Sequence, residues 1–163
     1  MTRTLTHPQR SWLLPAMLGV LIIALVGTSL WLWRRSAPAI DDAPVALARV
    51  EAQNFFTLSY RHPSADLDRV LSLASDPFKA QYSARRDAVA RGLVGKKLTL
   101  TAHVPEHGTA LEYRNGDRAQ VLVAVDATTA TPDGHRETNH YRVRVRLAKT
   151  ATGWLVTDLT QVG

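Results

Sequence analysis

Among the ionisable side chains of this 163-residue chain, Asp126 stands in the most suggestive place for acid–base chemistry. It follows the apolar run Val121 to Val125, at a point where a cavity between sheet and helices would open. A carboxyl group withdrawn from water holds its proton to higher pH, which suits a general base. The plainer reading of this candidate cavity acid is a strand-end aspartate accepting from nearby backbone N–H groups. Strand alternation puts Asp126 on one face with Leu122 and Ala124, and Val121, Val123 and Val125 on the other. No partner base is evident. His103 falls on the polar side of its strand, and the remaining histidines lie in breaks or near turns.

Four histidines, His103, His107, His135 and His140, invite a metal reading. Only His103 with His107, and His135 with His140, are close in sequence, and neither pair falls on a helix. The spacing matches no metal motif, and carboxylate company is thin. The chain has no cysteine, so disulfides, thiolate metal sites and a cysteine nucleophile are excluded. A Gly-rich phosphate loop, a Gly-x-Ser-x-Gly elbow and a spaced carboxylate pair are also missing. The sequence therefore assigns no catalytic residue, no cofactor site and no metal ligand. Arg142, Arg144 and Arg146 form a ladder on one strand face, fit for an acidic partner or anionic headgroups. Alternation alone explains the ladder as a solvated face whose charges discourage edge pairing.

The net charge of +6 points less to nucleic acid once it is divided along the chain. Residues 1–35 contain Arg3, Arg10, Arg34 and Arg35 and no acid, so four of the six charges belong there. They flank Trp12 to Trp33, a run of 22 residues without a formal charge. At about 1.5 Å rise per residue, such a helix spans a bilayer core of roughly 30 Å. Trp12 at one end, with Trp31 and Trp33 at the other, suits indoles at headgroup level, and Arg34 and Arg35 end the run. Ala37-Pro38-Ala39 loosely imitates a signal-peptide cleavage site, but the long apolar run, its abrupt end and Pro38 favour an uncleaved anchor. The bilayer is thus one expected partner. Arginines on both sides leave the orientation open.

The expected organisation is an N-terminal tail over 1–11, a transmembrane helix over 12–33, a linker over 34–42 and one soluble domain over 43–163. Helical periodicity in Val45, Ala48, Ala52, Phe55, Phe56 and Tyr60 predicts a helix over about 43–60. His62-Pro63 stops it. Capping signals at Ser64 and at Ser75-Asp76-Pro77 open two more, over about 64–74 and 76–92, with Gly92 and Gly95 ending the last. The period then changes to two. Strands are expected over about 97–104, 109–114, 118–129, 136–148 and 154–162, with hairpin signals at Asn115-Gly116-Asp117 and Thr131 to Gly134. Three helices followed by a meandering antiparallel sheet make an α+β domain.

Three stretches carry a likeness to a known family. Phe56 to Tyr82 contains R-x-P-x-A-D-x-D-R-V-L-x-L-A-S-x-P-F-K-x-Q-Y; Asn115 to Asp126 reads NGDRAQVLVAVD; Tyr141 to Leu159 reads YRVRVRL followed by GWLVTDL. Together they resemble the Mce-associated membrane proteins of mycobacteria and related actinobacteria. The resemblance implies one transmembrane helix, a domain outside the cytoplasmic membrane and an NTF2-like cone close to the type IV secretion component VirB8. It further implies a non-enzymatic accessory role beside Mce transporter subunits in lipid or sterol import. The charge pattern, with no block of like charges, calls for no nucleic-acid partner. The irregular segment Val104 to Gly108 departs from the pattern.

Four functions fit this reading: an Mce accessory scaffold, a VirB8-like secretion or conjugation scaffold, a lipid-carrying cone, and an isomerase of the ketosteroid type with Asp126 as base. The carrier requires an apolar cavity of about 300 Å³ or more between helices and sheet. Dense packing of interiors makes Phe55, Phe56, Phe78, Tyr82 and Trp154 better candidates for core than for cavity wall.

Overall fold

A computed structural model describes residues 42–163. The apolar run with Trp12, Trp31, Trp33, Arg34 and Arg35 lies outside the described residues. Among the described residues no helix is long and apolar enough to cross a membrane.

Helix α1 (Ala43–Phe56) begins with Pro44 in its first turn, where the missing N–H costs nothing. Its buried stripe is Pro44, Ala48, Glu51 and Ala52. The two alanines, a turn apart, let the backbone lie close against the sheet. The sequence-based helix runs on to about Tyr60, whereas α1 stops at Phe56. Thr57 is extended, and Leu58–Ser59 form a short strand β1 paired with Thr99 and Leu100. Helical spacing at Tyr60 was therefore coincidental, and tertiary pairing decided the conformation.

Helix α2 (Pro63–Ser72) buries Leu67 and Val70. Helix α3 spans Asp76–Lys96 and passes through both Gly92 and Gly95, one turn beyond the expected end. Each glycine costs about 1 kcal/mol relative to alanine in a helix. Leu93, buried between them, holds that turn down. The left-handed stop is supplied by Lys97 (φ 49°), whose N–H donates to Val94. The connector between α2 and α3 is fastened to the sheet: Ser75 N–H donates to Val156 O at 2.7 Å, and Val156 N–H to Leu73 O at 2.9 Å.

The sheet comprises β1, β2 (Thr99–His103), β3 (Thr109–Asn115), β4 (Arg118–Ala130), β5 (Arg136–Thr150) and β6 (Gly153–Gln161). All pairs are antiparallel, in the order β1-β2-β4-β5-β6, with β3 also on β4. The central place of β4 matches its apolar sequence. Val121, Val123 and Val125 of β4, Val143 and Val145 of β5 and Val156 of β6 are fully buried. They form one core with Ala48, Ala52, Phe78 and Trp154. A smaller cluster of Leu58, Leu67 and Leu93 lies by β1, α2 and α3. The domain is thus α+β, with three helices on a curled antiparallel sheet.

Candidate functional site

The helix joints are tied by a connected polar group. Asp66 accepts from Ser59 N–H at 2.7 Å and pairs with Arg69 at 2.9 Å. Arg69 also donates to Asn54 Oδ1 at 3.1 Å and Thr57 O at 2.8 Å. One guanidinium therefore joins the end of α1, the turn into β1 and the start of α2. Asp68 in turn holds Arg86 of α3 at 2.6 Å, and its contact raises the pKa of that guanidinium. Asp66, Asp68 and Arg69 belong to the longest of the three resembling stretches. Their geometry explains them as joints between helices.

A second clamp fixes the irregular segment 104–108. Arg49 of α1 donates to the carbonyls of Val104 (2.8 Å), Pro105 (2.9 Å) and Glu106 (2.6 Å). The bend closes with Gly108 N–H on Pro105 O, and Gly108 O accepts from Ala124 of β4. A Cβ at Gly108 would approach Pro105 to 3.0 Å. Arg49→Ala is expected to cost about 1–2 kcal/mol. It should speed amide exchange at Gly108 and Ala124 while leaving β5 and β6 protected; unchanged exchange there would contradict the clamp.

On the sheet face turned away from the buried valines, Asp126 and His140 share a hydrogen bond of 2.6 Å. They are direct register partners, and His103 of β2 is the partner of Asp126 on its other side. The partner judged missing from the sequence is thus present. It was legible in the hairpin, because Asp126 and His140 lie seven residues either side of Asp133 in the turn. His140 is well exposed and Asp126 half-buried, in an open cleft of about 440 Å³ that Arg142 also lines. No serine or threonine lines that cleft. Among the described residues no group of three His, Asp or Glu side chains is disposed to hold a metal.

The arginine ladder is partly neutralised. Arg144 makes a forked contact to Glu112 of β3 at 2.8 and 3.1 Å, which lowers the Glu112 pKa. Arg146 pairs with Asp158 of β6 at 3.0 Å. Arg142 is exposed and has no ion-pair partner among the described residues. Arg144 therefore ties β5 to β3 across β4, Arg146 ties β5 to its neighbour β6, and Arg142 is left to solvent.

Beneath α3 lies a different space. Phe55, Phe78 and Tyr82 line a cavity of about 370 Å³ between α1, α3 and β6. Phe55 and Tyr82 are wall and Phe78 is a core ring that also lines the space, while Phe56 stacks on Tyr141 at 4.9 Å and Trp154 is buried in the core. Nearby, Glu51 is fully buried and neither carboxylate oxygen has a hydrogen-bond partner. Burial pushes its pKa up to about 8. Tyr82 is pushed up to about 12, chiefly by burial and secondarily by the Glu51 charge. Glu51 escaped sequence reading although it sits three residues after Ala48, on the stripe that packs inward.

No family model matches the chain, and no curated protein matches it in sequence. Solved structures do match. The periplasmic domain of DotI aligns with a TM-score of 0.65 at 14% identity, covering 78% of this chain and 98% of that one. VirB8 of Agrobacterium tumefaciens gives 0.58 at 11% identity, covering 75% and 91%. CagV of Helicobacter pylori, a VirB8 homologue of a type IV secretion system, gives 0.56 at 16% identity, covering 72% and 97%. The fold is NTF2-like, of the VirB8 kind. At these identities the likeness is one of fold. The likeness to Mce-associated proteins rests on the three sequence stretches alone.

Proposed function

We propose that the chain is a non-enzymatic, membrane-anchored scaffold subunit of a multiprotein assembly in the cell envelope. Residues 43–163 stand on the extracytoplasmic side of the cytoplasmic membrane in this reading. The observation that carries it is the VirB8-type fold, which extends over nearly the whole of the solved VirB8 and CagV chains and of the periplasmic domain of DotI. The apolar run Trp12 to Trp33 supplies the anchor. The Asp126–His140 pair does not argue for an enzyme, because it lies on an open sheet face.

Which machine is served divides the reading. A VirB8-like secretion or conjugation assembly is favoured by the structural likeness. An Mce-type lipid or sterol importer is favoured by the three sequence stretches. The joints made by Asp66, Asp68 and Arg69 weaken the second argument, since those residues serve the fold whatever the partner.

A reporter active only after export, fused after Gly163, is expected to be active. Affinity capture of the tagged full chain from native membranes is expected to recover subunits of a secretion channel in fixed ratio. Recovery of Mce subunits would favour the second machine. A silent reporter on a stable fusion, or recovery of the chain alone, would contradict the scaffold role.

A further inference from the structure

The cavity beneath α3 has the features of a binding site. Its volume, about 370 Å³, lies within the range of small-molecule sites. Phe78, Tyr82, Arg85 and Val89 follow one another at helical spacing, so a cation is set into an otherwise apolar stripe. All four line the cavity, opposite Leu159 of β6. Phe78 and Leu93 are buried towards the two ends of α3, whereas Tyr82 and Val89 between them are only half-buried. The helix is thus held at both ends over a space its middle does not fill. Phe55, Phe78 and Tyr82 form an aromatic shelf there, with centroids 5.6 Å apart for Phe55–Tyr82 and 6.0 Å for the stacked Phe78–Tyr82 pair.

The charges around this space are unevenly used. Arg86, the neighbour of Arg85, turns away to Asp68 at 2.6 Å. Asp158, an acid lining the cavity, is already paired with Arg146 at 3.0 Å. Arg85 is exposed and takes part in no hydrogen bond or ion pair among the described residues. A guanidinium presents a planar fork that matches a carboxylate or phosphate.

We propose that this cavity binds a single-chain anionic amphiphile, its apolar chain on the aromatic shelf and its headgroup oxygens on Arg85. The apolar lining takes the chain at the usual gain of about 25 cal/mol per Å² removed from water. Glu51 does not oppose the headgroup near neutral pH, because burial keeps its carboxyl protonated. The inference does not rest on the scaffold role and holds for either machine.

The test uses the full chain in lipid nanodiscs and two photoreactive probes. One is a diazirine analogue of dodecanoate added from water; the other is a diazirine phospholipid built into the nanodisc bilayer. Labelled residues are mapped by mass spectrometry. The dodecanoate probe is expected to label α3 and β6 near Tyr82, Val89 and Leu159, and unlabelled dodecanoate should compete. Arg85→Ala should lower this labelling about fivefold, the factor carried by one exposed ion pair of about 1 kcal/mol. Val89→Trp, which fills the space, should reduce it about tenfold or more. Labelling of the same residues by the phospholipid and not by the dodecanoate would overturn the single-chain ligand.

Labels confined to other parts of the chain in both arms would overturn the proposal. So would cavity labelling that Arg85→Ala leaves unchanged. Arg85 is exposed and unbonded, so its variant keeps the sheet circular dichroism and remains a valid test even where Val89→Trp perturbs folding.

Discussion

Arg69→Ala is expected to lower the stability of the domain by about 3 kcal/mol. Thermal unfolding of the full chain, followed by its sheet circular dichroism, should show a midpoint about 10 °C lower. The size of the effect follows from what is left behind. Asp66, with its side chain only 13% exposed, keeps the Ser59 N–H but loses its counter-charge. Thr57 O and Asn54 Oδ1 lose their donor together. A partly buried carboxylate without its partner costs far more than an exposed surface pair. Arg69→Lys should recover less than half of the loss, because an ammonium cannot span three acceptors in one plane. A loss below about 0.5 kcal/mol, the scatter of ordinary surface substitutions, would show that the joint does not hold α1, β1 and α2 together.

Glu51→Leu is expected to act in the opposite direction, stabilising the domain by about 3 kcal/mol at pH 7. In the unfolded chain Glu51 titrates near 4.5, and in the folded domain near 8. Between those values the folded state keeps a proton that the unfolded state releases, so folding loses stability as pH rises. Below about 4.5 both states are protonated and the penalty vanishes; above about 8 both are ionised and it is complete. The slope in between is about 1.4 kcal/mol per pH unit. Leucine removes the titration and the two unpaired oxygens while preserving an apolar side chain in the buried stripe. The difference in stability between the two proteins should therefore grow from pH 5 to pH 8. Parallel pH profiles would contradict the burial of an unpaired acid. The stability given up at this position leaves Glu51 uncharged near the cavity at neutral pH.

Much of the architecture was legible because it obeys simple periods. The valines of β4 and β5 alternate, and Thr131 to Gly134 marks their turn, so the longest hairpin follows from spacing alone. Helix α2 was expected from a cap at Ser64; it begins one residue earlier at Pro63, with His62 in the cap position, and buries Leu67 and Val70 as its spacing requires. What spacing missed depended on contacts between elements. Leu58–Ser59 became a strand because Thr99 and Leu100 offered a free edge, and α3 overran two glycines because Leu93 had a place in the second cluster. The candidate sites divide in the same manner. Arg144 and Arg146 were found by alternation, but their acids, Glu112 and Asp158, come from other strands. Asp126 was found, while His140 needed the hairpin register. No spacing marks Arg85 among the arginines of α3, and only its place beside the cavity gives it a use.

The resemblance to Mce-associated proteins and the likeness to VirB8-type domains agree on the fold and differ in the machine we propose from each. They differ because the residues supporting the first are largely those that build the fold underlying the second. Asp66 and Arg69 are fixed by the end of α1, and Val121 to Val125 by the core. Arg142 and the exposed Tyr113 and Leu111 of β3 stand instead on the surface left to solvent.

The scaffold role is tested most directly by the state of the envelope assembly in cells without the protein. Native electrophoresis of gently solubilised membranes should show a VirB8-type secretion complex shifting to smaller species on deletion. Full size should return with the whole chain, and not with residues 43–163 lacking the anchor. An assembly of unchanged size and abundance in the deletion strain, secretion and Mce complexes alike, would contradict the role.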